Sequence, residues 1–299
     1  NEYLEKKGLP KISDLNEVLS LTGQKNRSDR FSDTNFEQTI EIVLKHLEKK
    51  DIESVVPFFE NDKVMNSQKI KDFFSYLDYQ KHSTIDFLVN ELSYISMERL
   101  KPLMSDKVIE DLLKIKPEDL RKLGLSEISK INFLMMLING PIPKDLAPLV
   151  AEVGNRSFEL GQVKPASHQL SMIKLLALSM VRLDGQWNPR LKLIWNQIVE
   201  MMNQRLLFTT SEHQELMQTL VVNRGEWSDE LLLTWKRYMD RPDTDPSDMT
   251  YLFLIDDHEL SKSQEEAFYT ILRHKDFNAF EATNRFLSVI QMKPSHFNT

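Results

Sequence analysis

Residues 185–195 read Gly-Gln-Trp-Asn-Pro-Arg-Leu-Lys-Leu-Ile-Trp, and residues 225–235 read Gly-Glu-Trp-Ser-Asp-Glu-Leu-Leu-Leu-Thr-Trp. The two stretches align without a gap at an offset of 40 residues, and together they hold all four tryptophans of the chain. The matched positions are a glycine, two tryptophans and two leucines: Gly185 and Gly225, Trp187 and Trp227, Leu191 and Leu231, Leu193 and Leu233, Trp195 and Trp235. Because Trp is a rare residue, its recurrence at a fixed period of this size indicates an array of helical repeats.

The repeated pattern extends to both sides of these stretches. Gly140 and Ile142, followed by Leu146 and Val150, match the first stretch at an offset of 45 residues, and residues 249–268 form a more degenerate later copy. Each unit reads as an apolar helix A, a turn and an amphipathic helix B. One such hairpin cannot bury its apolar face alone, but stacked hairpins can. The sequence therefore predicts an all-α fold, an α-solenoid of stacked antiparallel helical hairpins with a repeat of about 40 residues.

Local sequence rules assign a role to most positions of the repeat. Gly185 and Gly225 are expected just past helix A, where a left-handed residue favours glycine. Asn188 and Ser228 are good N-caps for helix B. We therefore expect a turn between two helices at both places.

The tryptophans admit a structural and a functional interpretation. Trp187 and Trp227 precede the N-caps, where they can pack onto helix B, and Leu191 and Trp195 lie four residues apart on one helical face. The alternative is that the indoles stack on nucleobases, which is worth about 1–3 kcal/mol per base. Their spacing beside Leu and Ile favours packing between repeats.

Three regions can be distinguished along the chain. Residues 1–30 are polar and are predicted to form a loose N-terminal arm, residues 31–125 a region of degenerate hairpins, and residues 126–299 the repeat region. Within the second region, Leu112 to Leu125 is similar to the latter half of a SAM domain, and a plain helix-turn-helix is the alternative interpretation.

Charge is unevenly distributed. The net charge is −7, yet residues 164–241 carry ten basic and eight acidic side chains. Nucleic-acid binding needs a positive surface. Basic residues of this stretch are therefore the candidate contacts for an anionic partner: Lys174, Arg182, Arg190, Lys192, Arg205, Lys236, Arg237 and Arg241.

Motifs for catalysis were sought and not found. The chain has no cysteine, which excludes thiolate metal sites and a Cys nucleophile. No phosphate-binding glycine loop or His-Glu-x-x-His motif occurs, and 256–259 reads as a solvated loop rather than a set of metal ligands. No apolar run reaches the roughly 18–20 residues of a membrane span. We expect a protein that is not an enzyme and that has no catalytic residue, metal, cofactor or membrane span.

The alternation of an apolar helix A, as in 175–180, with a helix B that opens Trp187-Asn-Pro resembles the helical hairpins of octotricopeptide and FAST-kinase-related proteins. The resemblance covers residues 126–290. It implies an organellar role, in which such proteins bind and stabilise RNA or join larger complexes. The leading expectation is a non-catalytic scaffold with protein partners, and the alternative is an organellar RNA-binding protein. An intracellular location follows from either, in the mitochondrial matrix if a presequence is removed.

Overall fold

The computed structural model describes residues 33–50, 52–92, 95–161, 167–204, 206–223, 225–254 and 259–284. These residues are mostly helical and contain no strand, so the predicted all-α class is confirmed. Within the described helices, no segment has both the length and the apolar character needed to cross a membrane. The predicted arm at 1–30, Arg205 and 256–258 lie outside the described residues.

The chain divides into two compact units, Asn1–Asp111 and Leu112–Thr299. Five α-helices begin in the described part of the first unit: α1 (Asp33–Lys49), α2 (Asp62–Met65), α3 (Gln68–Ser75), α4 (His82–Asp86) and α5 (Met97–Leu113). A 3-10 helix (Glu53–Glu60) follows α1, and a π-helical turn (Phe87–Glu91) continues α4. The second unit contains α6 (Leu125–Met136), α7 (Ala147–Gly161), α8 (Ser167–Met180), α9 (Pro189–Asn203), α10 (Thr210–Val222), α11 (Asp229–Met239), α12 (Pro246–Leu254) and α13 (Lys262–Leu272), and the described residues end in a further helical segment at 279–284. Short 3-10 helices at Pro117–Lys122 and Lys144–Leu146 precede α6 and α7.

A buried carboxylate joins two segments of the first unit. Asp111, near the end of α5, accepts a hydrogen bond of 3.2 Å from the amide of Tyr79 and pairs with Lys107 at 3.1 Å. The Tyr79 hydroxyl donates to the carbonyl of Phe74, and burial raises the pKa of this phenol above its usual range. Because buried polar groups must find partners, these contacts fix the segment between α3 and α4 against α5.

The helices of the second unit contact one another in two rows. Helices α6, α8, α10 and α12 pack successively, α7 packs on α9, and α11 packs on α13. Helix α8 also contacts α7 and α9, and α12 contacts α13. The apolar faces of the helices are buried between the rows, with Leu176, Leu220 and Ile198 fully enclosed. Burial of such side chains is the main favourable contribution to folding.

Helix starts follow the predicted capping chemistry. The Asn188 side chain accepts from the amides of Arg190 and Leu191, and the Ser228 hydroxyl accepts from the amide of Leu231. Both predicted N-caps are therefore confirmed. Thr209 and Ser261 each form a full capping box at the starts of α10 and α13.

Candidate interaction surface

The turns that precede α7, α9 and α11 are hydrogen-bonded to one another. The Ile142 amide donates to the Arg182 carbonyl at 2.6 Å, and the Asp184 amide donates back to Ile142 at 3.0 Å. The Gly185 amide then donates to the Glu226 carbonyl at 2.8 Å, and the Glu226 amide donates to the Asp184 carboxylate at 2.8 Å. Backbone groups that a turn leaves unpaired are thus satisfied by the next turn along the sequence pattern.

This ladder of turns continues to the start of α13. The Trp227 amide donates to the Ser263 hydroxyl at 2.8 Å, and the Gln264 side-chain amide donates to the Asn223 carbonyl. The Asn223 side chain in turn donates to the Val181 carbonyl. Contacts therefore link three successive turns through side chains as well as backbone.

The two repeat glycines have different reasons to be glycine. Gly185 has φ of +91°, the left-handed backbone expected for it. Gly225 has no positive φ, so the prediction of a left-handed residue is wrong there. A Cβ at Gly225 would lie 2.9 Å from the Asp184 carboxylate oxygen. Glycine is needed at 225 because the neighbouring turn approaches too closely for a side chain.

All four indoles lie inside the second unit. Trp187 and Trp195 pack edge to face with ring centroids 5.4 Å apart, and Trp227 and Trp235 do so at 5.8 Å. Their exposed fractions are at most 4%. Such pairs gain stability beyond the area that they bury. No indole offers an open ring face on which a nucleobase could stack.

Three candidate lysines bridge successive helices. Lys192 of α9 pairs with Glu230 of α11 at 2.6 Å, Lys236 of α11 pairs with Glu266 of α13, and Lys174 of α8 pairs with Glu212 of α10. The carboxylate of Glu230 raises the pKa of Lys192. The hydrogen bond from Lys174, with those from Thr209, lowers the pKa of Glu212 to about 2. These ammonium groups are engaged by carboxylates of the same chain.

Two candidate arginines serve buried groups. Arg190 pairs at 2.7 Å with Glu152 of α7, which is buried and also accepts a 3.1 Å bond from Arg121. Arg182 is itself buried, and its guanidinium donates to three carbonyls at the end of α6, those of Met135, Ile138 and Gly140. A cation at a helix C-terminus satisfies unpaired carbonyls and complements the helix dipole.

The remaining described candidates, Arg237 and Arg241, lie in the last turn of α11 and just after its C-terminal end. Arg237 is exposed, whereas Arg241 forms a bidentate pair with Asp243 at 2.7 and 2.9 Å. The third guanidinium nitrogen of Arg241 lies 2.6 Å from Nδ1 of His213. Because an arginine can only donate, this nitrogen of His213 must accept, and the imidazole is neutral.

His213 was not singled out by the sequence, and it lines a pocket in the second unit. The pocket has a volume of about 960 Å³, and Lys174, Phe208 and Arg241 also line it. Burial and the neighbouring Arg241 lower the pKa of His213 to about 4, against an opposing effect of Asp243. Of the eight basic candidates, Lys174 and Arg241 thus share a pocket, and the described others lie on α9, on α11 and in the turn after α8.

Three of the ion pairs join residues at one constant sequence separation, which differs from the period of the repeat. Lys174 and Glu212, Lys192 and Glu230, and Glu152 and Arg190 are each separated by 38 residues. For the two lysine pairs, the separation is two residues less than the 40-residue offset because the long lysine side chain reaches an earlier residue of the neighbouring helix. Searching for opposite charges at this separation would have found all three pairs.

Comparison of the chain with protein-family models, with curated proteins and with solved structures returned no match.

Proposed function

We propose that the second unit is an α-solenoid of hairpins with a period of about 40 residues, and that it acts as a non-catalytic scaffold in a larger assembly. The observation that carries this proposal is that basic side chains of the second unit form ion pairs with carboxylates of neighbouring helices. Lys174, Lys192 and Lys236 each bind a carboxylate on the next helix of their row, so they stabilise the stack instead of presenting an uncompensated positive surface.

The solenoid architecture is supported by contacts that recur between neighbouring hairpins of the second unit. Trp195 reaches Thr234 and Trp235 reaches the Ala267 carbonyl, so the same Trp position is used twice to join successive helices. The turns before α9 and α11 are joined by the Gly185–Glu226 hydrogen bond. Repeats that contact mainly their neighbours form an extended surface suited to binding other macromolecules.

Exposed apolar side chains on the surface of the second unit favour protein partners. Leu193 and Leu233 occupy the same position of the repeat, and their exposed fractions are 60% and 49%. Exposed apolar residues at matching positions are typical of a contact surface when they lie together. The resemblance to organellar repeat proteins makes a mitochondrial complex the first place to look for such a partner.

RNA binding is the alternative that the experiment must separate. It would require uncompensated basic residues along one groove, because phosphate contacts dominate affinity for nucleic acid. The ion pairs of Lys174, Lys192, Arg190, Lys236 and Arg241 with nearby carboxylates weigh against it.

The test is to isolate the tagged full chain from its native cells and measure the size of its assembly before and after nuclease digestion. A scaffold is expected to remain in an assembly larger than the chain after digestion. Release of the chain as a monomer by nuclease would support RNA binding instead, and a chain that is monomeric from the outset would contradict the scaffold proposal.

A further inference from the structure

Exposed apolar side chains recur on one row of helices. Leu193 of α9, Leu233 of α11 and Tyr269 of α13 have exposed fractions of 60%, 49% and 51%. Leu272 follows Tyr269 on the same helix and is also exposed. We call Leu193, Leu233 and Tyr269 the apolar stripe.

The contacts between the three helices place these residues on one side of the row. Lys192 and Trp195 reach α11, whereas Ile194 lies against Gly154 of α7, so Leu193 is left facing away from both neighbours. On α11, Glu230 and Thr234 face α9, whereas Trp235 and Lys236 face α13, and Leu233 lies between these two sets. The outward face of each helix therefore presents one member of the stripe.

Charged residues flank the stripe in an ordered way. Asp229 and Glu265 each precede a stripe residue by four positions, and Arg237 and Arg273 each follow one by four positions. Residues four apart share a helical face, and all four charged residues are exposed. The starts of α11 and α13 lie together, because the Trp227 amide binds the Ser263 hydroxyl. Two acidic residues thus border the Leu233 and Tyr269 part of the stripe on one side, and two basic residues border it on the other.

We propose that the apolar stripe docks an amphipathic helix of a partner protein, which lies across α9, α11 and α13 with basic residues beside Asp229 and Glu265 and acidic residues beside Arg237 and Arg273. This inference rests on the proposed scaffold function and names the class of partner. Complementary flanking charges fix the direction of the docked helix, and the apolar contacts supply the affinity.

The spacing of the stripe selects a helix over an extended strand. Packed helices lie roughly 8–10 Å apart, so Leu233 and Tyr269, whose helices α11 and α13 pack on one another, are separated by about 10 Å. In an α-helix, residues seven apart are about 10.5 Å apart and lie on nearly the same face. In a strand, residues on the same face are about 6.6 or 13 Å apart. Only the helical repeat matches the stripe.

The test places the photo-crosslinking residue p-benzoylphenylalanine at position 193, 233 or 269 of the full chain in its native cells. A fourth variant carries it at Val222, which is 60% exposed at the end of α10 in the other row and serves as the control. After irradiation, the linked residues are identified by mass spectrometry. We expect positions 233 and 269 to link to residues seven apart in one segment of one partner protein, with position 193 linking further along the same segment.

Links to residues two or four apart, to RNA, or to a second copy of this chain would overturn the inference. So would a lack of links at 193 and 233 while the nuclease-resistant assembly stays intact, which would leave the scaffold proposal standing. Failure of the unmodified chain to form a nuclease-resistant assembly is the separate result that would contradict the scaffold proposal.

A charge-reversed chain tests the direction of docking. Arg237→Glu with Arg273→Glu should lower the yield of links at position 233 by about tenfold or more, since like charges across an interface cost several kcal/mol. The matched control, Lys144→Glu, reverses an exposed charge in the turn before α7 that belongs to neither flanking pair. Equal loss in both variants, or no loss in either, would contradict the proposed arrangement of charge.

Discussion

The indole nitrogen of Trp195 donates to the hydroxyl of Thr234 across 2.9 Å, which joins α9 to α11. One repeat later, the indole nitrogen of Trp235 donates to the Ala267 carbonyl of α13 at 3.2 Å. Each of these two side chains thus packs within its own hairpin and also binds the next hairpin. This double use explains why the two tryptophans recur at a fixed period, and it makes their removal costly.

Trp235→Ala should therefore destabilise the protein strongly. The side chain has no exposed surface, and loss of a large buried aromatic group costs about 3–5 kcal/mol through the cavity left behind. Urea denaturation monitored by circular dichroism measures the change. The exposed neighbour Leu233→Ala is the control and should change the free energy of unfolding by no more than about 0.5 kcal/mol. Equal effects of the two substitutions would be incompatible with the packing described.

Gly225→Ala should destabilise by about 1–3 kcal/mol, because the new Cβ would meet the Asp184 carboxylate at 2.9 Å while that carboxylate is held by the Glu226 amide. In an Asp184→Ala background the cost should fall, since the clashing atom is gone. The cost of Gly185→Ala should not fall in that background, because it arises from a φ of +91°. A double-mutant cycle on thermal unfolding separates the two causes, and additive effects for Gly225→Ala and Asp184→Ala would refute the close approach of the turns.

Stability should decrease as the pH is lowered from about 6.5 to about 4. His213 has a folded-state pKa of about 4, below the unfolded value of 6.5, so the unfolded state binds a proton first and is favoured throughout this window. The expected loss is roughly 2 kcal/mol after allowance for partial exposure. Arg241 and Asp243 face the imidazole and keep their charges over most of the window. His213→Gln should flatten the dependence between these pH values, and an unchanged slope would show that another group is responsible.

The carboxylate of Glu152 is expected to depend on its two arginines. Removing both, as Arg121→Ala with Arg190→Ala, leaves the buried carboxylate without its ion-pair partners and should cost about 1–3 kcal/mol, because the two arginines are themselves largely exposed. Adding Glu152→Gln to this variant should recover part of the loss, since a neutral amide is less costly to bury. Unfolding in urea provides the comparison. If the triple variant is less stable than the double variant, the carboxylate is not the source of the cost.

The sequence predicted the features that depend on neighbouring residues in the chain. Asn188 and Ser228 cap their helices because an N-cap needs only a side chain near the next amides. The requirement for Gly225 could not be predicted in the same way, since it comes from Asp184 of another turn. The partner of Lys192 was also missed, because aligned repeat positions place Leu232 opposite it, whereas its ammonium group reaches back to Glu230.

The most direct test of whether these basic residues stabilise the stack or bind nucleic acid is a filter-binding titration of the purified chain with single-stranded RNA at 50 and 200 mM salt. We expect only weak binding, with a dissociation constant no tighter than the roughly 10⁻⁶–10⁻⁴ M of non-specific contacts, and no change in the Lys236→Glu, Arg237→Glu variant. Binding in the nanomolar range that falls steeply with salt and is lost in that variant would contradict this expectation.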